Sequence, residues 1–115
     1  MRVERELMRG AGPVAVMQLL ESGEMYGYQL IEALERQTDG VLAMGQSTLY
    51  PLLYNLEAKG LVRGRWRESE SGRQRKYYSL TKRGLARLSS YRKQWSGLVG
   101  AMRGLGLIQT DTRGR

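Results

Sequence analysis

Apolar and polar positions follow a helical period through the first half of the chain. They switch to a two-residue period after residue 60 and return to a helical one near residue 81. Residues 3–21 read as a helix, in which Val14-Ala15-Val16-Met17-Gln18-Leu19-Leu20 is apolar almost all round. A helix apolar on every side is buried on more than one of them, and in a short chain one side is expected against a second subunit. Pro13, after Gly10-Ala11-Gly12, either starts the helix proper or kinks it. Ser22-Gly23 ends it. Tyr26 to Gln37 predicts a second helix with Tyr26, Leu30, Ala33 and Leu34 inside and Glu32, Glu35 and Arg36 in water. Thr38-Asp39-Gly40 is turn composition, and Val41 to Met44 reads as a short extended link.

The chain is organised around the third helix, Gln46 to Lys59. Leu49, Leu52, Leu53 and Leu56 form the i, i+3, i+4, i+7 stripe of a helix packed on a core. Ser47, Tyr50, Pro51 and Tyr54 fall on the other side. That outer face carries almost no charge, only Glu57 near its end. A face of hydroxyls, amides and tyrosines suits contact with a partner better than contact with water alone. Pro51 sits early and removes at most one backbone bond, and Gly60 supplies the C′ stop.

After Gly60, Val62, Gly64 and Trp66 alternate with three arginines, which predicts a strand with one face on the core. Glu68 to Gly72 is a turn, and Arg73 to Leu80 returns as a second strand with Tyr78 and Leu80 on one face. A helix-turn-helix followed by such a hairpin is a winged helix. Thr81 then caps a long helix. Its apolar residues Leu88, Tyr91, Trp95, Leu98, Met102 and Leu105 are spaced 3, 4, 3, 4, 3, a heptad seam for pairing with another helix. Gly97, Gly100, Gly104 and Gly106 weaken this helix by ~1 kcal/mol each against Ala, and they let backbones approach or leave a hollow. The expected fold is therefore mainly α (α+β): a winged helix-turn-helix domain over residues 1–80 with a two-stranded wing, a long C-terminal dimerisation helix over 81–107, and a flexible tail over 108–115.

Composition narrows the function. The chain has 115 residues and neither Cys nor His. That removes thiolate and Ser-His-Asp chemistry, the usual general base and Cys-ligated zinc. We expect no enzyme, no metal and no cofactor. No run approaches the ~18 apolar residues of a membrane span, and no secretory leader is expected, so the anticipated location is cytoplasmic with no membrane partner. The net charge of +8 is uneven: −3 up to Val62, +6 from Arg63 to Arg83, and +5 beyond. A clustered basic segment fits a polyanion such as double-stranded DNA.

Gln46, Ser47, Thr48 and Asn55 are candidates to read base edges in a major groove, and Tyr50 and Tyr54 to meet phosphates or sugars. Arg73, Arg75 and Lys76 at the wing are phosphate candidates, with Arg63 and Arg65 weaker ones. Tyr26 and Tyr28 open the second helix, where a phosphate is favoured, though Tyr26 is equally suited to the core. Trp95 lies on the seam, either as core of a dimer or as a platform on which a flat ligand stacks.

Several stretches together resemble the PadR family of bacterial transcriptional regulators. They are Tyr26-Gly27-Tyr28-Gln29-Leu30, Ser47-Thr48-Leu49-Tyr50-Pro51-Leu52-Leu53 with Leu56-Glu57 and Gly60-Leu61, then Gly72 to Thr81 and Gly84. The short final region is similar to the branch with a single carboxy-terminal helix. The resemblance implies a homodimer built by the first and last helices, palindromic operator DNA as partner, and repression relieved by a small molecule. Gln94-Trp95-Ser96 is similar to multidrug-binding regulators of that branch, in which the matching tryptophan stacks on planar aromatic compounds between subunits. The matching pocket positions are Leu7, Gly10, Pro13, Val14, Leu98 and Val99. Pro13 and Val99 make this lining more apolar than the family pattern, and the Gly-rich end of the last helix departs from it. The leading rival is a non-specific architectural nucleic-acid binder, which shares the charge but has no use for an uncharged polar recognition face.

Overall fold

The computed structural model describes residues 1–109. Its elements are α1 (Arg5–Leu20), β1 (Met25–Tyr26), α2 (Gly27–Gln37), α3 (Gln46–Ala58), β2 (Val62–Glu68), β3 (Gln74–Leu80) and α4 (Lys82–Gly104). Pro13 stands inside α1, so the helix runs through it and the Arg9 carbonyl loses its intrahelical donor. Gly12 is buried one residue earlier. A Cβ there would lie 3.2 Å from Leu52 Cδ1 and 3.4 Å from Met44 Cε, so its bare backbone lets α1 press against α3.

The core joins Val16 and Met17 of α1, Leu30 and Leu34 of α2, Leu49, Leu53 and Leu56 of α3, Leu61, Val62, Tyr78 and Leu88. Three of the four expected α3 leucines are buried, and Leu52 is half-buried against the same cluster. Paired bonds close the helix: Gly60 N–H donates to the Glu57 carbonyl and Leu61 N–H to the Leu56 carbonyl, both at 2.9 Å. Gly60 takes φ +73°, a conformation open to glycine at little cost. The expected turn at Thr38-Asp39-Gly40 is present and runs on through Val41 and Leu42, so only residues 43–44 of the expected extended link lie outside it. Within the turn the Thr38 hydroxyl donates to the Leu34 carbonyl and accepts from Leu42 N–H, which curls the chain.

The wing has one strand more than expected. The sheet order is β1-β3-β2, all antiparallel, and the two-residue β1 is too short to show a period in sequence. The expected core face of β2 is also corrected. Val62 is buried, but Trp66, paired with Lys76, is 69% exposed. The hairpin leaves the core beyond Gly64, so the same alternation that buries Val62 points Trp66 into an open cleft.

Thr81 caps α4 by accepting from Gly84 N–H at 2.9 Å, and its hydroxyl donates to the Gly60 carbonyl at 2.6 Å. A Cβ on Gly84 would stand 2.0 Å from the Leu61 carbonyl oxygen, so this junction between α3, the wing and α4 requires glycine. Leu88 was expected on the inter-chain seam. It is 1% exposed within the chain's own core, so the seam open to another chain starts after it. Arg92 pairs with Glu21 and donates to Gln18 Oε1 at 3.2 Å, clamping α4 to α1. Beyond Arg92 no α4 residue is buried, and the molecule measures 54 × 28 × 27 Å. The helix carries through Gly97 and Gly100 and stops with Gly106 at φ +86°. The expected tail, 108–115, lies outside the described residues from 110 onward. No helix of the described residues is long and apolar enough to cross a membrane.

Candidate nucleic-acid interface

Steps of about 100° per residue divide the exposed side of α3 into two flanks. Gln46, Tyr50 and Tyr54 face one way and Thr48, Asn55 and Lys59 the other, with Ser47 and Pro51 between them. Each flank borders a cleft. On the wing side, a cleft of about 710 Å³ is lined by Gln46, Tyr50 and Tyr54 together with Tyr26, Tyr28, Trp66, Arg73, Arg75 and Lys76. On the other side, a cleft of about 690 Å³ is lined by Ser47, Thr48 and Asn55 with Pro51, Lys59, Arg5 and Arg9. The eleven leading DNA candidates named from sequence border one cleft or the other, whereas the two weaker ones, Arg63 and Arg65, border neither.

The wing-side cleft is tightly braced. Tyr50 packs its hydroxyl against Gly27, the first residue of α2, where a Cβ would come within 2.3 Å of it. Glu57 reaches from α3 to the wing, accepting from Gly64 N–H at 3.3 Å and from Lys76 Nζ at 3.4 Å. Gly64 makes this reach possible, because a Cβ there would lie 2.3 Å from Lys76 Cε. Partial burial opposes the Lys76 charge, but Tyr78 and the hydrogen bond and charge of Glu57 outweigh it and hold its pKa above the ordinary value. Burial likewise pushes the Tyr78 hydroxyl up. Arg75 lies 4.3 Å over the Tyr26 ring, and its Nε is buried with no hydrogen-bond partner among the described residues. Tyr26 meets Tyr77 edge-on at 5.3 Å, and its N–H donates to Gln29 Oε1 at 3.1 Å. Arg67 pairs with Glu24 and stacks over Tyr77. Among the described residues, Arg73 is the cation of this cleft with neither an ion pair nor a ring beneath it.

Apart from Pro13, which also borders the α1-side cleft, the effector and dimer candidates lie outside both clefts. Leu7 and Gly10 of α1 and Trp95 and Leu98 of α4 are exposed, while Pro13, Val14 and Val99 are half-buried. On the seam, Tyr91 and Met102 are half-buried and Leu105 is 81% exposed. Cβ atoms added at Gly10, Gly97 or Gly100 would meet nothing within 4 Å. In one chain the glycines of this surface therefore border open space.

Sequence reasoning missed Trp66, Arg5, Arg9 and Lys59 as neighbours of α3. Trp66 was legible, because its period places it beside Lys76 rather than on the arginine face. The two arginines belong to a helix some forty residues away in sequence.

The transcriptional regulator PadR-like family model matches residues 16–90. A transcriptional regulator of Streptococcus is 35% identical, with 90% of this chain and 99% of that one covered at a TM-score of 0.79. A PadR family transcriptional regulator of Eggerthella lenta is also 35% identical, with 87% and 85% covered at 0.74. A transcriptional regulator of Clostridium thermocellum shares the fold at 22% identity, with 89% and 96% covered at 0.79. These relatives are regulators, not enzymes, and the matched segment contains α2, α3, the wing and the α4 junction. The chain belongs to the PadR-like family of transcriptional regulators.

Proposed function

We propose that the chain is a dimeric regulator that binds operator DNA in the cytoplasm with α3 in the major groove. It represses transcription until a planar aromatic molecule enters between the subunits. One observation carries the reading: an outer helix face with no cation of its own before Lys59 at its C-cap stands between two clefts lined by cations. A helix with its side chains is about 10–12 Å across, and the major groove is about 12 Å wide. Gln46, Ser47, Thr48 and Asn55 then face base edges, and Tyr28, Tyr50 and Tyr54 face sugar and phosphate. Arg73 and the wing grip the backbone, with Arg75 and Lys76 available at the cost of leaving Tyr26 and Glu57.

The distal half of α4 supports the dimer reading, because it and its C-cap expose Trp95, Leu98 and Leu105 and none of its residues is fully buried in its own domain. Pairing through Tyr91, Trp95, Leu98, Met102 and Leu105 sets the separation of the two α3 helices. An effector held by Trp95, Leu98 and Val99 of α4 with Leu7, Gly10, Pro13 and Val14 of α1 acts by changing that separation. It must bind the DNA-competent and incompetent states with different affinity.

Competition tests the DNA reading. A duplex from upstream of the chain's own gene should outcompete random duplex by about 10³-fold or more. Affinity should also fall linearly in log–log terms with salt. Equal competition by random duplex makes the chain a non-specific architectural binder. The effector arm uses a Trp66→Phe background, so that a planar polycyclic aromatic dye reports through Trp95 alone. Saturable quenching is expected. Dye affinity unchanged in Trp95→Ala, followed on the dye, removes Trp95 as the platform.

A further inference from the structure

We propose that the cleft between α1 and α3 is a second phosphate-binding surface. On it Arg5, Arg9 and Lys59 hold the DNA strand on the side of α3 away from the wing. The proposal rests on the DNA-binding reading above and deepens it, giving Arg5, Arg9 and Lys59 a DNA strand of their own where that reading assigns them no individual contact.

Arg5 and Arg9 are four residues apart, one helical turn, and so share a face of α1. Lys59 is the C-cap residue of α3. All three line the cleft that also holds Ser47, Thr48 and Asn55, and no carboxylate lines it. Glu4 lies in the adjoining cleft, which Arg2 and Arg5 also border, and it makes no ion pair with Arg5. Among the described residues the ion pairs are made by Arg67, Lys76 and Arg92, so none of these three cations is neutralised by a neighbour. Each is exposed.

The position of the cleft selects the partner. It is continuous with the polar outer face of α3, so whatever α3 enters must bring its rim past Arg5 and Arg9. A helix that fills the major groove has a phosphate backbone along each flank. The wing meets one backbone, and α1 stands where the other passes. Leu7 lies about 200° around α1 from Arg5. A second chain covering Leu7 therefore leaves both arginines open to DNA.

The test is the salt dependence of duplex binding by the full chain. Each phosphate neutralised contributes roughly 0.9 to the slope of log affinity against log salt. Arg5→Ala with Arg9→Ala should lower the slope by about 2 and Lys59→Ala by about 1. The loss of affinity should be the same for upstream and random duplex, because phosphates carry no sequence. Arg5→Lys with Arg9→Lys should keep the slope. Thermal melts of these exposed-site variants should match wild type. An unchanged slope in Arg5→Ala/Arg9→Ala, while Arg73→Ala lowers it, overturns this proposal alone. Wild-type protein that binds no duplex overturns it together with the DNA-binding reading.

Discussion

The two flanks of α3 carry similar charge in opposite states. On the wing side most cations are already engaged, Lys76 with Glu57, Arg75 over Tyr26 and, beside the cleft, Arg67 with Glu24, which leaves Arg73 as the cleft's one unpaired cation among the described residues. On the α1 side, Arg5, Arg9 and Lys59 have no ion partner among the described residues. The first arrangement fixes geometry. The Glu57 carboxylate ties α3 to the wing, and six aromatic residues, Tyr26, Tyr28, Tyr50, Tyr54, Trp66 and Tyr78, line the cleft. The second arrangement offers charge at little cost, because no internal pair is broken when a phosphate arrives. A count of basic residues credits the wing with most of the attraction. The pairing pattern moves a share of it to α1.

The largest way to break the wing-side half is Gly27→Ala, whose Cβ would stand 2.3 Å from the Tyr50 hydroxyl. Overpacking of this kind costs about 1–3 kcal/mol. The urea midpoint should fall, and DNA affinity should fall with it as Tyr50 is displaced. Next comes Glu57→Gln, which weakens the Gly64 bond and frees Lys76. Stability should drop by about 1 kcal/mol, while the salt slope of DNA binding rises by about one unit as Lys76 becomes available to phosphate. A slope and an affinity that both stay unchanged would mean Lys76 never turns to DNA, whereas a gain in affinity at unchanged slope would mean it already leaves Glu57 in the wild type. Trp66→Ala removes a large apolar surface from the cleft, so affinity should fall with the salt slope unchanged, measured by the same titration.

The smallest expected effect concerns the α1–α4 clamp. The hydrogen bond from Arg92 holds the Glu21 carboxyl below its ordinary 4.5. A depressed folded pKa contributes stability that is present above 4.5 and lost as pH falls through the folded value. Arg92→Ala should lower the urea midpoint slightly at pH 7, and the gap to wild type should close below pH 4.5. A gap that persists in acid would place the clamp's contribution outside this ion pair.

Much of this fold is legible because its signals are local. The Leu49, Leu53, Leu56 stripe, the Gly60 stop, the Thr81 cap and the Gly72 turn are each decided within a few residues. What was not legible is non-local. β1 exists because Met25 and Tyr26 find Tyr78 and Tyr77, fifty residues on. Leu88 has the seam's period, but it falls on the part of α4 that still covers the domain. Arg5 and Arg9 sit in a segment of net negative charge, and only the close approach of α1 and α3 at Gly12 places them beside α3. Periodicity finds the face of a helix but not which distant element stands next to it.

The central claim is that two copies of α3 enter successive major grooves. Dimethyl sulfate protection of guanine N7 on the upstream duplex tests it directly, because N7 lies in the major groove. Two protected clusters centred about 34 Å apart, one helical turn, are expected, both lost when Leu98→Asp breaks the α4 seam. A single cluster, or uniform protection independent of sequence, would contradict it.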